Sequence, residues 1–479
     1  MNKVRCVTFI TSIAMLAGAT IFSYPADVSA QNSQQDMCDI TTMELVKDMG
    51  VGINLGNTLE SCGDWIAQWT DNSQKAYETA WGSPVITKEI IQGYADEGFG
   101  VLRIPVAWSN RMSDDGTYTI DKDVMERVTE IVDWTIDAGM YAIINIHWDN
   151  GWVNTFPETK EESMKRYTVM WEQISDNFKD YNDYLMFESQ NEELGWDTLW
   201  NKWGGPEGKD ESYALVNEIN QVFVDTIRKS GGNNDERHLL ISGYNTDISC
   251  TCDSYFEMPS DPADRCALSV HYYTPAGFAI LTEDADWGKA MYSWGTDADY
   301  AELNKYLDML EDTFIDKDIP VIIGEYGCPV ENKDPDSIVK YLTAVCEGAF
   351  TRDICPVMWD VTDAQYDRTA CKLKNDQIRT NFQKISGFDG SDNKNDNDTT
   401  TPGTDIPSTQ KIYGDFNSDG KAELTDLTIF SLMLLGDSTF TDEQNAVSDL
   451  NGDGNVNIAD LAHFKQFISK DNVVLGPQK

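Results

Sequence analysis

The 479-residue chain carries 81 acidic against 36 basic residues, a formal net charge of −45, and 41% of it is hydrophobic, including 14 Trp, 20 Tyr and 18 Phe. That charge excludes nucleic acid, whose phosphate backbone needs clustered Lys and Arg, and it disfavours anionic membrane surfaces. The apolar content suffices for a large buried core, the length exceeds one ordinary domain, and a neutral substrate suits the charge.

Lys3 and Arg5 form a short positive start, Val7 to Phe22 is mostly apolar, and Val28-Ser29-Ala30 matches a small-x-small cleavage site before Gln31. Residues 1–30 are therefore expected to be a signal peptide, leaving a secreted, soluble protein with no membrane span. Removing Cys6 with that segment leaves nine of the ten cysteines. An odd number leaves at least one thiol unpaired; bridges among Cys250, Cys252 and Cys266, or to Cys371, are open. None of the four His stands at ligand spacing from a Cys pair, which argues against zinc.

From residue 50 to 361, short apolar runs recur: GVGINLG, GVLRIPVAW, MYAIINIHW, YLMFES, HLLISGYN, CALSVHYY, IPVIIGEYG and CPVMWDV. Each has the length and the Val, Ile and Leu content of a buried strand. The intervening segments read as amphipathic helices. Lys122 to Ala138 spaces Val124, Val128, Ile131 and Val132 by three or four and stops at Gly139. Ser212 to Ser230 repeats the pattern, and Asp336 to Phe350 starts behind Pro335. Between the fifth and sixth runs only a short helix, or none, fits. Eight strands alternating with helices predict an α/β fold, a (β/α)8 TIM barrel. An open doubly wound sheet would carry a Gly-rich phosphate loop, which GINLGNT is not.

A barrel of this kind places its chemistry at the carboxyl ends of the strands. Those ends hold Asn54 and Asn57, Arg103, His147 with Trp148, Asn191-Glu192, Tyr244-Asn245, His271 with Tyr273, Glu325, and Trp359-Asp360. Any one of these alone reads as a satisfied core or surface group; the recurrence of polar residues at one end of most strands does not. Glu192 and Glu325 come from the fourth and seventh strands, nearly opposite staves, and two carboxyls facing each other across a sugar-sized gap are what glycosidic cleavage requires. Glu188, inside its strand, reads as a framework carboxylate, and Glu193 points elsewhere.

GINLGNTLE, WGSP with TKEII, LRIPVAW, IHWDNGW, LMFESQNE, SVHYYTP, VIIGEYG and VMWD together resemble glycoside hydrolase family 5, the secreted cellulases, over roughly residues 40–385. The resemblance implies that Glu192 is the acid/base and Glu325 the nucleophile. It also implies that Arg103, His147, Asn191, His271, Tyr273 and Trp359 contact substrate. Arg103 and the Tyr273 hydroxyl then favour an ionised Glu325, whose charge is expected to raise the pKa of Glu192. Retention of configuration follows, with carboxyls about 5–5.5 Å apart. The sequence departs from the family at Glu193, where Pro is usual, at Trp148, where a second His is common, and at Val361, where Asn is frequent. These changes bear on substrate preference. Trp65, Trp69, Trp152, Trp196, Trp200 and Trp203 read either as packing or as sugar platforms.

Residues 387–410, almost free of apolar side chains, read as a flexible linker between a catalytic domain over 31–386 and a small all-α domain over 411–479. The latter contains a repeat: DFNSDGKAELTD at 415–426 aligns with DLNGDGNVNIAD at 449–460. Both are EF-hand-like loops that predict two structural Ca2+ ions. Asp415, Asn417, Asp419, Lys421, Glu423 and Asp426 form the first ligand set; Asp449, Asn451, Asp453, Asn455, Asn457 and Asp460 form the second. The missing entry helix and Asp at position twelve resemble dockerins, which implies a cohesin partner on a cellulosome scaffold. The leading reading is a secreted cellulosomal endo-β-1,4-glucanase acting on a β-glucan polysaccharide. Xyloglucan, mixed-linkage glucan and xylan are alternative substrates, and a non-catalytic carbohydrate-binding scaffold component is the alternative of another class.

Overall fold

A computed structural model describes residues 37–388, apart from 193, 196–198, 206 and 363. Of the C-terminal region it describes 413, 414, 416, 422, 430, 431, 434, 447–451, 456–468 and 475. The chain divides into two compact units, Met1–Asn395 and Asp396–Lys479.

The first unit is the expected barrel. Strands β1 (Gly52–Asn54), β2 (Val101–Ile104), β3 (Tyr141–Asn145), β4 (Leu185–Glu188), β5 (Leu239–Asp247), β6 (Cys266–Tyr272), β7 (Val321–Tyr326) and β8 (Cys355–Met358) pair in parallel, in chain order, and close on themselves. Every residue of β2, β3, β4, β7 and β8 is buried, because one face packs into the barrel and the other against helices. Leu45, Val46 and Met49 of the helix Thr42–Met49 pack with Val101, Ile143 and Met186 in a cluster separate from the larger core between strands and helices.

The helices follow local chemistry. Lys122–Asp137 is capped by Asp121, whose side chain accepts from Asp123 N, and it buries Val124, Val128, Ile131 and Val132 as the spacing predicts. Pro335–Phe350 opens on its proline and is capped by Asp334. The helix expected at 212–230 begins three residues earlier, at Lys209, and runs to Lys229. Between β5 and β6 the only helix is the four-residue Ile248–Thr251. After β8 comes a hairpin the periodicity does not announce, β9 (Tyr366–Asp367) with β10 (Lys372–Leu373).

The bridges considered for Cys250, Cys252, Cys266 and Cys371 do not form; all four are free thiols. Local acceptors meet three of them: Cys252 Sγ donates to Met309 O, Cys266 Sγ to Asp261 Oδ2 and Cys371 Sγ to Arg368 O. Among the described residues, no helix is long and apolar enough to cross a membrane.

In the second unit, Phe416 and Phe430 form an aromatic core with Phe464 of the helix Ile458–Ile468. The signal-peptide segment and nearly all of the proposed linker lie outside the described residues.

Candidate active site

The parallel register levels the strand ends, so that Asn54 pairs with Arg103 and His271 with Glu325 across neighbouring staves. Arg103, fully buried, organises the floor. Its Nε donates to Glu188 Oε2 at 2.7 Å, Nη1 to Glu325 Oε1 at 2.7 Å and Asn54 Oδ1 at 3.0 Å, and Nη2 to Asn191 Oδ1 at 3.0 Å. Such a fork suits arginine alone among cations, since its donors are planar and diverge. Glu188 also accepts from Asn145 Nδ2 at 2.9 Å and Ser269 Oγ at 2.6 Å, which makes it the framework carboxylate the sequence indicated.

Glu325 takes a second bond at 3.0 Å from the Tyr273 hydroxyl. Burial and the neighbouring Glu325 and Glu192 charges push that phenol well above its ordinary range, so it stays protonated and donates. Glu192, from the turn after β4, receives His271 Nδ1 at 2.9 Å, and the same nitrogen lies 3.7 Å from Glu325 Oε2. One oxygen of Glu192, His271 Nδ1 and one oxygen of Glu325 all lie within 4.8 Å of one another. The Glu192 side chain remains 38% exposed while Glu325 is 7% exposed, so one carboxyl faces the mouth and the other the floor.

These contacts distribute the protons differently from the sequence expectation. Burial opposes charge on His271, but Glu325 and the Glu192 bond outweigh it and raise the imidazole above its ordinary value. Burial likewise works to raise Glu192, yet the His271 bond and charge, with Arg103, bring it below its usual value. Both directions favour the proton of this pair on the imidazole. Glu325 is raised by burial and by Glu192, against His271 and Arg103. The predicted elevation of Glu192 by Glu325 is overridden by the His271 bond at 2.9 Å and by the His271 and Arg103 charges.

His147 is the opposite case. Burial, then the Arg103 and His271 charges, hold it well below its ordinary value, so it is a neutral ring. Its Nδ1 accepts from Asn145 Nδ2 at 3.3 Å, leaving the proton on Nε2, and it lies parallel to Trp359 with ring centroids 5.8 Å apart. All eight residues named for catalysis and substrate contact thus converge on one end of the barrel. Sequence reasoning did not single out Asn145 and Ser269, whose signal was only their place inside apolar strands.

The tryptophans divide. Trp152 is buried and donates to Asp149 Oδ2 at 2.7 Å, and Trp200 packs on Tyr213 and Tyr244, so both are framework. Trp69 and Trp203 are nearly four-fifths exposed, with Trp65 and Trp148 partly so, and these keep faces open to a ligand. Trp196 and Glu193 lie outside the described residues.

Of the two loops predicted to bind calcium, Asp415, Asn417, Asp419, Lys421, Glu423, Asp426, Asp453 and Asn455 lie outside the described residues. In the second loop, Asp460 is buried and gathers Leu450 N at 2.9 Å, Asn451 N at 3.1 Å and Asn457 N at 2.9 Å, closing the turn on itself. The side chains described there, Asp449, Asn451, Asn457 and Asp460, offer hard oxygen donors, the chemistry calcium selects.

Comparisons with known proteins agree with this architecture. The profile of Cellulase (glycosyl hydrolase family 5) matches residues 62–365, and that of the Dockerin type I domain matches 413–469. The chain is 33% identical to Endoglucanase B of Clostridium cellulovorans, over 92% of this chain and 93% of that protein. It is 35% identical to a xyloglucan-specific endo-beta-1,4-glucanase of Bacteroides ovatus, over 73% and 71%. Among solved structures, a GH5-4 broad specificity endoglucanase from an uncultured bovine rumen ciliate superposes with a TM-score of 0.65 at 36% identity, over 73% of this chain and 99% of that one. With a closed parallel barrel, paired glutamates at its carboxyl end and a family profile spanning well over half its length, the chain belongs to glycosyl hydrolase family 5 and carries a dockerin type I domain C-terminal to the barrel in sequence.

Proposed function

We propose that this chain is an endo-β-1,4-glucanase that cleaves a β-glucan with retention of configuration, using Glu325 as nucleophile and Glu192 as acid/base. The observation that carries the mechanism is the approach of the two carboxylates, whose oxygens lie within 4.8 Å. Retaining enzymes hold their carboxyls about 5–5.5 Å apart, whereas inverting enzymes leave about 6.5–9.5 Å for a water.

The chemistry follows from the contacts. Arg103 and Tyr273 aim Glu325 at the anomeric carbon, and Arg103 opposes the burial that favours its protonated form. The proton needed by the departing oxygen is the one shared by His271 and Glu192, passed across their 2.9 Å bond. Once Glu325 is esterified its charge is gone, His271 loses a main reason to hold the proton, and Glu192 becomes the base that activates water. Asn191, held by Arg103, stands where it can meet the sugar 2-hydroxyl, and Trp359 offers its face to the ring.

Glu325→Gln is expected to abolish turnover of a soluble cello-oligosaccharide while preserving its binding; unchanged turnover refutes the assignment. NMR of the first-formed anomer tests retention, and an inverted product excludes it. Xyloglucan is the second reading, supported by the Bacteroides ovatus relative. A substrate panel with product sizing separates the two. The carboxylate pair with Arg103 and Tyr273 argues against a non-catalytic scaffold component.

The remaining organisation belongs to the same proposal: a signal peptide over 1–30, catalytic domain 31–386, linker 387–410 and dockerin 411–479. The dockerin would hold two calcium ions and attach a secreted enzyme, through a cohesin, to a cell-surface cellulosome. The oxygen donors around the loop closed by Asp460 support the calcium reading.

A further inference from the structure

Behind the ring of Trp359 lies a buried charge cluster, held by bonds separate from those that fix Glu192 and Glu325 and taking no part in the proton transfers. Arg368, on the turn of the β9–β10 hairpin, is buried. Its Nη1 donates to Thr58 Oγ1 at 2.9 Å and Ser83 Oγ at 2.8 Å, and its Nη2 to Gly56 O at 2.7 Å. One guanidinium outside the eight strands thus grips the turn that follows β1.

That turn leans on the rim of β8. Gly56 N donates to Asp360 O at 3.0 Å. A Cβ at Gly56 would stand 2.5 Å from Asp360 O and 3.0 Å from Trp359 Cζ2, so the backbone approaches the indole as closely as only glycine permits. Two buried carboxyls complete the cluster. Glu60 accepts from Asn57 N and, at 2.8 Å, from Thr58 N; Asp360 Oδ1 accepts from Gln365 N at 2.8 Å and Tyr366 N at 3.1 Å, fastening the hairpin. Burial pushes Glu60 up to about 7 and Asp360 up to about 6, and Arg368 opposes both shifts.

We propose that Arg368 is a positioning residue for the glucan ring that stacks on Trp359: by bolting the β1 turn to the β9–β10 hairpin, which Asp360 fastens to the β8 rim, it sets the height of the indole face. The inference rests on the functional reading above. It requires no contact between Arg368 and sugar, and it sets a specific signature. A wall displaced by a fraction of an ångström weakens stacking, while Glu192, Glu325 and Arg103, held by other bonds, keep their geometry.

The test uses the full chain with cellotetraose, comparing Arg368→Gln, Thr58→Val and Thr58→Ser. Kinetics are measured in the otherwise unchanged enzyme, and calorimetric binding in each variant combined with Glu325→Gln. Arg368→Gln and Thr58→Val are expected to raise KM and Kd about fivefold or more with kcat nearly unchanged, and Thr58→Ser to restore both. A purely structural role lowers the melting temperature and the active fraction but leaves KM and Kd of the folded protein within about twofold, which overturns the proposal. Should Arg368→Gln fail to fold, the Thr58 pair decides by the same readings. If Glu325→Gln alone turns over at the wild-type rate, the functional reading has failed and this inference falls with it; a dead Glu325→Gln with normal binding in the Thr58→Val and Arg368→Gln backgrounds removes the inference alone.

Discussion

Arg103 and Glu188 meet at 2.7 Å with both side chains wholly buried, and the same guanidinium reaches Glu325 at 2.7 Å by another nitrogen. One cation therefore serves two carboxylates, a permanent partner behind and the nucleophile in front. Arg103→Lys keeps the charge but replaces a planar fork by a single point that cannot reach Glu188, Glu325, Asn54 and Asn191 together. A loss of about 100-fold or more in kcat is expected, the range seen when a preorganised donor is removed, with KM changed far less. Steady-state kinetics on a soluble cello-oligosaccharide, with circular dichroism to establish folding, make the comparison. A lysine enzyme with near-normal kcat would mean that charge alone suffices.

The His271–Glu192 pair makes a pH prediction. The imidazole is raised above its ordinary value of 6.5 by Glu325 and Glu192, in spite of burial, so the pair holds its proton to higher pH than a free imidazole does. Because that proton is the one delivered to the leaving group, kcat/KM should fall as pH rises through an ionisation above 6.5 rather than near the 4.5 of an ordinary glutamate. As a coupled ionisation it belongs to both residues. His271→Asn removes the imidazole, and the basic limb should then move, because burial, opposed by Arg103, then governs Glu192. A basic limb identical in the two enzymes counts against proton sharing.

The barrel was legible because each strand is a short Val, Ile and Leu run with both faces buried, and because Pro335 and Gly139 punctuate the helices where the structure starts and ends them. The gathering of Arg103, His147, His271 and Glu325 was legible too, since parallel strands in register align their last residues at one level. Other features were not. The direction in which Glu192 moves depends on an imidazole arriving from β6 at 2.9 Å, which no spacing in the sequence reveals. Whether Trp152 or Trp203 faces solvent is decided by tertiary packing and not by loop sequence. The β9–β10 hairpin has two-residue strands, too short for any periodicity to register.

Asp360 carries a stability prediction. Its folded value is raised by burial from 3.8 to about 6, so its contribution to stability is fully present below the unfolded value and is lost as pH rises through about 6. Above that point ionised Asp360 costs the folded state up to about 3 kcal/mol, since each pH unit between the unfolded and folded values is worth about 1.4 kcal/mol. Asp360→Asn retains the Oδ1 acceptor for Gln365 N and Tyr366 N and removes the charge. The variant should match the parent near pH 4 and melt at a higher temperature at pH 8. Thermal melts across that range provide the check, and a variant with the parent's pH slope would show that Asp360 is not the titrating group.

Calcium removal separates the two units. The second loop is closed by Asp460, whose carboxylate collects three backbone amides, Leu450, Asn451 and Asn457, around the same oxygens that would face a cation. The aromatic core of Phe416, Phe430 and Phe464 is small, and small cores depend on added staples such as metals. A chelator is therefore expected to lower the helical circular dichroism of the full chain and to abolish cohesin binding, with calcium restoring both. Turnover of a soluble cello-oligosaccharide should stay within about twofold, because protein bonds hold Arg103, Glu192, His271 and Glu325 in place. Unchanged dichroism together with intact cohesin binding after chelation would rule out calcium as the element that orders the dockerin.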